Sequence, residues 1–134
     1  MDKLIVSLSL LLLAVISGCT VSGRAVKEHN LLNVFFADES HEKVAGVITD
    51  MSRYCDTGVF VVESKYLSNI NKSVIDYRVK NGAQYFMHIE VEETGNRKSK
   101  VSIYHYMNTA VTKNMARKIE DWVISGEKDC VNGF

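Results

Sequence analysis

The chain has 134 residues, of which 46% are apolar and 24% charged, and its 16 basic and 16 acidic side chains leave no net charge. This length allows one domain and no more. The charge balance excludes a nucleic-acid-binding protein that relies on an excess of Lys and Arg to neutralise phosphates. The apolar content excludes a disordered chain, and the absence of proline excludes proline-rich stalks.

An apolar segment of 13 residues, 4–16, follows a short polar start and is interrupted only by two serines. A helix that crosses a bilayer needs about 20 apolar residues, so this segment is too short to span a membrane. Its length is typical of the apolar region of a secretory signal. The sequence therefore predicts that the chain is exported.

The segment ends in Ile16-Ser17-Gly18-Cys19, which resembles the lipobox of bacterial lipoproteins. The resemblance implies that residues 1–18 are a signal peptide and that Cys19 becomes a lipid-modified N-terminus. Two or three acyl chains, such as palmitate, anchor a protein stably to a membrane. Thr20 follows the cysteine, where an inner-membrane lipoprotein tends to have Asp, so the resemblance implies the outer membrane of a Gram-negative bacterium, facing the periplasm. The alternative is an ordinary secretory signal with an unrelated cysteine.

Cys55 and Cys130 remain in the mature chain if Cys19 is lipidated. A pair of cysteines in an exported domain predicts a disulfide. A metal site is the weaker alternative because the sequence has no CxxC or HxxxH spacing, and a cysteine nucleophile would need a positioned histidine. We therefore expect neither a metal nor another cofactor.

Residues 19–30 are predicted to be the lipidated N-terminus with a polar tether, and residues 31–134 to be a single domain. The domain opens with an apolar run, 31–36, which is either a short edge strand or a segment packed against the first helix. Asp38 or Ser40 can cap that helix. Its buried face has the spacing of an amphipathic helix, at Val44, Val47, Ile48, Met51 and Tyr54.

Alternating apolar residues predict four strands after this helix, and a second amphipathic helix closes the domain. The expected fold class is α+β: a four-stranded antiparallel sheet with two helices packed on one face, in the order α-β-β-β-β-α. The predicted strands are residues 59–66, 73–79, 83–93 and 99–107. The second helix is predicted at residues 109–125, with Val111, Met115, Ile119, Trp122 and Val123 on its buried face.

The second and third predicted strands form a hairpin, and the length of its loop decides which residues pair. A three-residue loop at 80–82, with Gly82 in the left-handed conformation, sets Tyr77 opposite Tyr85. A two-residue turn would mix apolar and polar faces, so we prefer the longer loop.

The next hairpin has a five-residue loop at 94–98. This loop sets Val91 opposite Val101, and it sets Glu92 opposite Lys100 on the other face as a favourable pair. The two registers together predict one apolar core face, made of Ile75, Tyr77, Val79, Tyr85, Met87, Ile89, Val91, Val101 and Ile103.

The opposite face of the sheet carries the candidate partner-binding residues. The predicted registers place Phe86 opposite Tyr106, and His88 opposite Tyr104. Exposed aromatic clusters often mark contact surfaces, although aromatic cross-strand pairs also stabilise a half-exposed sheet without any partner. Catalysis is not expected, because no nucleophile or oxyanion donor joins His88 and its neighbour Asp76.

The mature domain resembles small uncharacterised outer-membrane lipoproteins of Gram-negative bacteria. The residues that carry the resemblance are a helix ending in Tyr54-Cys55 and a last helix with Trp122, followed by Gly126 and Cys130. The resemblance implies the disulfide and the fold, and it implies no activity.

We therefore expect a non-enzymatic, lipid-anchored module that binds an envelope protein. The binding surface would be the aromatic sheet face, or an edge strand to which the partner adds a strand. The alternatives are a pilotin-like secretion accessory lipoprotein, and a carrier of a small lipid or peptidoglycan-derived ligand between sheet and helices.

Overall fold

The structure is a computed structural model that describes residues 30–82 and 84–130 of the chain. These residues form two helices and one antiparallel sheet with the strand order β1-β5-β4-β3-β2. The predicted signal peptide, Cys19 and all of the tether except Asn30 lie outside the described residues. The elements are β1 (Leu31–Ala37), α1 (His41–Cys55), β2 (Phe60–Leu67), a 3-10 helix (Ser68–Ile70), β3 (Lys72–Val79), β4 (Tyr85–Gly95), β5 (Lys98–His105) and α2 (Ala110–Ile124).

The prediction of four strands is wrong, because the apolar run after the tether forms a fifth. This run pairs antiparallel with β5 and places Phe35 opposite Val101. Phe35 is buried in the core, whereas Val34 and Phe36 on either side of it are exposed, which is the alternation of a strand. The edge strand is thus the correct one of the two assignments that the sequence left open. The coarser prediction, an α+β fold with two helices and an antiparallel sheet, is confirmed.

Both helices begin at polar caps and pack on the same face of the sheet. The Ser40 side chain accepts a hydrogen bond from the first turn of α1, and Thr109 and Thr112 form a capping box at the start of α2. Tyr54 and Val111, which the periodicity places in the buried stripes, are exposed in the terminal turns of their helices. The helical side chains in the core are Val44, Ala45, Ile48, Cys55, Met115, Ala116, Ile119 and Trp122.

The register predicted for β4 and β5 is confirmed, with Val91 opposite Val101 and Glu92 opposite Lys100. The strands extend further than expected, since pairing continues to Gly95 and the turn takes only two residues. Both turn residues have positive φ, the conformation that matches the twist of a tight hairpin.

The register predicted for β3 and β4 is wrong by two residues, because Tyr77 lies opposite Met87 and not opposite Tyr85. The pairing shifts between Tyr77 and Arg78, so that Phe86 becomes the extra residue of a β-bulge on β4. Gly82 does not adopt the left-handed conformation.

A shift of two residues returns every side chain to its own face, so the core face was predicted correctly despite the wrong register. Val79 and Tyr85, near the bulge, are the exceptions. Val79 is exposed at the end of β3, and Tyr85 lies opposite the outer-face residue Arg78, because beyond the bulge the register differs from the predicted one by a single residue. The fully buried members of this face are Ile75, Tyr77, Met87, Ile89, Val91, Val101 and Ile103.

A disulfide joins Cys55 to Cys130, whose Cα atoms lie 5.4 Å apart across a sequence separation of 75. It ties the end of α1 to the segment that follows α2. Two further contacts hold the same segment. The Trp122 indole N–H donates to the Asp129 carbonyl at 2.9 Å, and the Lys118 ammonium lies 2.8 Å from the Asp129 carboxylate. The C-terminal segment is therefore fixed against both helices.

Candidate functional site

The outer face of the sheet, opposite the helices, carries a polar network centred on His88. Asp76 lies directly across from His88 on β3, and Glu90 follows two residues later on the same face of β4. The Nδ1 atom of His88 is 2.6 Å from the Asp76 carboxylate, and its Nε2 atom is 3.3 Å from the Glu90 carboxylate. Lys72 extends the network, since its ammonium lies 2.7 Å from Glu90 and 3.0 Å from Glu92.

The charges of this network stabilise the protonated form of His88. Burial by itself lowers the pKa of His88, but the hydrogen bonds to Asp76 and Glu90 outweigh it and raise the pKa to about 9. Burial likewise lowers the pKa of Lys72, and its bonds to Glu90 and Glu92 bring the net effect to a raised pKa. Both cations therefore stay charged at neutral pH.

His88 is only 7% exposed, and both of its ring nitrogens are occupied by carboxylates. An imidazolium in this state cannot accept a proton and offers little surface to a partner. The contacts of His88 with Asp76 and Glu90 join β3 and β4 on the outer face.

The structure brings His88 and Tyr104 together, as the predicted register requires. The two residues are opposite each other on β4 and β5, and their ring centroids are 5.9 Å apart. Tyr106 is exposed just beyond the end of β5, where its backbone N–H donates to the carbonyl of Phe86.

The expectation that Phe86 shares the outer face with His88 is corrected. The Phe86 ring packs against Phe60 with centroids 4.7 Å apart, and Phe60 meets the buried ring of Tyr77 edge to face. Phe86 therefore packs against the hydrophobic core, because the bulge turns its side chain away from the face that simple alternation assigns to it. The four residues proposed as a binding face do not form one exposed aromatic surface.

A second polar cluster, which sequence reasoning missed, lies where α1 begins. The Nδ1 atom of His41 and the hydroxyl of Ser73 share a hydrogen bond of 3.1 Å, and Nε2 of His41 is 3.7 Å from the Glu93 carboxylate. The Tyr66 ring stacks on the imidazole at 5.0 Å. Ser73 and Ile75 are two residues apart on β3 and therefore lie on the same face of the sheet. This spacing was the one feature of the sequence that indicated the contact between Ser73 and His41.

This cluster borders an open cleft of about 270 Å³ between α1 and the β2–β3 hairpin. A hydroxyl beside an imidazole that a carboxylate orients has the components of a nucleophilic site. His41 and Ser73 are both buried, however, and Tyr66 covers the imidazole. The contacts therefore serve to fix the start of α1 on β3. The hydrogen bond from Tyr66 to Glu42 raises the pKa of the tyrosine, so its hydroxyl stays protonated.

The edge strand β1 carries exposed apolar side chains on the outer face of the sheet. Phe36 is 64% exposed and Val34 is 37% exposed, and both lie on the outer side of the strand. Leu31, at the start of the strand, is exposed as well. Among the described strands, β1 pairs only with β5, so its other edge presents backbone groups to which a further strand can add.

The two edges of the sheet differ in charge. β2, at the other edge, carries Glu63 and Lys65 in its middle, and Glu63 is paired with Arg78. Charged side chains on an edge strand discourage a foreign strand from pairing with it. β1 has the sequence LLNVFFA and no charged residue. The asymmetry makes β1 the candidate binding edge.

Neither a protein-family model nor a curated protein sequence matches this chain. Within residues 30–82 and 84–130, no helix is long and apolar enough to cross a membrane. The same residues contain no cluster of histidine, cysteine and acidic side chains arranged to hold a metal ion.

Proposed function

We propose that this chain is a lipid-anchored, non-enzymatic binding module of the Gram-negative envelope, held by Cys19 in the outer membrane and facing the periplasm. The lipobox-like Ile16-Ser17-Gly18-Cys19 supports the anchor. The disulfide between Cys55 and Cys130 supports an oxidising compartment.

The observation that carries the binding role is the uncharged edge strand β1, with its exposed side chains Val34 and Phe36. A partner that adds a strand to this edge gains backbone hydrogen bonds along the strand, and it covers both apolar side chains. The aromatic sheet face, the other surface expected from the sequence, is the weaker candidate because His88 is buried in an ion network and Phe86 packs against the core.

The distance from the anchor to this edge suits a partner close to the membrane. Eleven residues, 20–30, separate Cys19 from the first residue of β1. A chain of that length reaches at most about 40 Å when fully extended. A pilotin-like role, in which the partner is a secretin subunit, is one form of this proposal.

The carrier alternative has less support. The side chains that face each other between sheet and helices are fully buried in one continuous core, including Ile48, Ile89 and Ile119. A lipid or peptidoglycan fragment bound there would have to displace these side chains, which costs their packing energy.

The test is crosslinking of the full chain in intact cells, followed by identification of the crosslinked envelope proteins. The variant Val34→Lys with Phe36→Lys places charges on the β1 edge and leaves the core untouched. The matched control is Val59→Lys with Ile70→Lys, which changes two apolar residues of similar exposure elsewhere on the surface. We expect the β1 variant to lose its crosslinked partners and the control to keep them. Equal recovery from the two variants would overturn the proposal.

A further inference from the structure

We propose that the partner of β1 is a second copy of this chain, and that two β1 strands pair antiparallel about a two-fold axis to join two five-stranded sheets into one. This inference rests on the proposed function, because it names the partner that the edge strand binds. Three features support the inference: the register that β1 can form with itself, its lack of charged residues, and the charges of the helix that flanks it.

The register of β1 allows self-pairing without mixing faces. A two-fold axis through Phe35 sets Val34 opposite Phe36 of the second copy, and Phe36 opposite its Val34. Val34 and Phe36 both belong to the outer face, so each exposed side chain meets an exposed apolar side chain. Phe35, on the core face, meets its own equivalent beside the two hydrophobic cores. An axis through one residue also preserves the alternating hydrogen-bond pattern of an antiparallel ladder.

The charge of β1 favours its own copy over a charged strand. A charged strand would have to desolvate its charges beside Val34 and Phe36, whereas a copy of β1 brings no charged side chain. The seven residues of β1 contain none.

The helix α2 flanks β1, and its charged side chains are complementary to those of a second α2. Lys113, Arg117 and Glu120 line an open cleft along the β1 edge, and the Asn33 amide donates to the Glu120 carboxylate at 2.8 Å. The first half of α2 thus carries basic side chains at this edge, and the second half carries an acidic one. A two-fold axis perpendicular to the joined sheet makes the two α2 helices antiparallel on the same face. The basic half of each then runs beside the acidic half of the other, which is attractive.

The experiment uses two differently tagged full-length chains in the same cell. The first chain carries a photoreactive benzophenone amino acid in place of Phe36. The second is the wild type, the variant Val34→Lys with Phe36→Lys, or the control Val59→Lys with Ile70→Lys. We expect a light-dependent product that contains both tags with the wild type and with the control. We expect its yield to fall at least about tenfold with the β1 variant, since its two lysines then lie opposite Val34 and the benzophenone of the first chain, where their charges must be desolvated.

The outcomes separate this inference from the proposed function. A crosslink from position 36 only to other envelope proteins overturns self-pairing and leaves the binding role of β1 supported. Absence of any crosslink overturns both. A two-tag product that the β1 variant leaves undiminished overturns the β1 geometry. Benzophenone in place of Tyr54, which is 76% exposed on α1, reports random encounter and should give no two-tag product. Protease resistance of each variant verifies that it is folded.

Discussion

Raising the pH should destabilise this protein through the deprotonation of His88. In the folded chain the imidazolium is held between Asp76 and Glu90, and its pKa lies at about 9 instead of the usual 6.5. The stabilisation is fully present below about pH 6.5 and is lost as the pH rises through about 9, because the folded state then loses a proton that the unfolded state has already released. The difference in pKa corresponds to roughly 3 kcal/mol. This value is an upper limit, since the Asp76 side chain is 25% exposed to solvent.

The assay is denaturant unfolding of the wild type and of His88→Gln across pH 6 to about 10. The comparison between the two proteins removes the contribution of tyrosines and lysines, whose pKa values lie near 10. We expect the unfolding free energy of the wild type to decline by up to about 3 kcal/mol over this interval, and that of His88→Gln to decline much less. The variant Asp76→Asn should bring the pKa of the imidazole back toward its usual value, as measured by NMR. A wild-type stability that stays level up to pH 10, or falls equally in His88→Gln, would refute the reasoning.

Three further predictions concern the core and its covalent link. Replacing both Cys55 and Cys130 by Ala should lower the unfolding free energy by about 4 kcal/mol, because the disulfide closes a loop of 75 positions; an unchanged denaturation midpoint would argue against this. Phe86→Ala should cost about 2 kcal/mol of stability and leave crosslinking from position 36 unaffected, whereas a binding residue would show the reverse. Tyr77→Phe should cost about 1 kcal/mol in thermal or denaturant unfolding, because it removes a buried hydroxyl bonded to Ser52, and a more stable variant would contradict that.

The sheet could be predicted from the sequence wherever two independent signals agreed. For β4 and β5, the apolar alternation that aligns Val91 with Val101 also sets Glu92 opposite Lys100. Packing and charge therefore select the same register. For β3 and β4 only the alternation was available, and it cannot distinguish registers that differ by two residues. The bulge at Phe86 therefore could not be predicted, and it places the Phe86 ring against the core and not on the expected binding face.

The edge strand and the polar clusters were harder to predict for a different reason. The run at 31–36 is mostly apolar, so it gives no period by which a strand can be told from a helix-packed segment. The contact between His41 and Ser73 joins residues 32 positions apart, and only the packing of α1 on the sheet brings them together. The Asp76–His88 pair could be predicted from the sequence, because the two residues lie on neighbouring strands and share a face.

The proposed lipid at Cys19 is the feature on which the cellular role depends, and metabolic labelling with a palmitate analogue tests it most directly. The labelling should be done on the full-length wild type and on Cys19→Ser, followed by separation of membrane and soluble fractions. We expect label on the wild type, which should fractionate with the outer membrane. We expect no label on Cys19→Ser, and its release from the outer membrane. An unlabelled wild type, or a Cys19→Ser variant that still fractionates with the outer membrane, would contradict the proposed role.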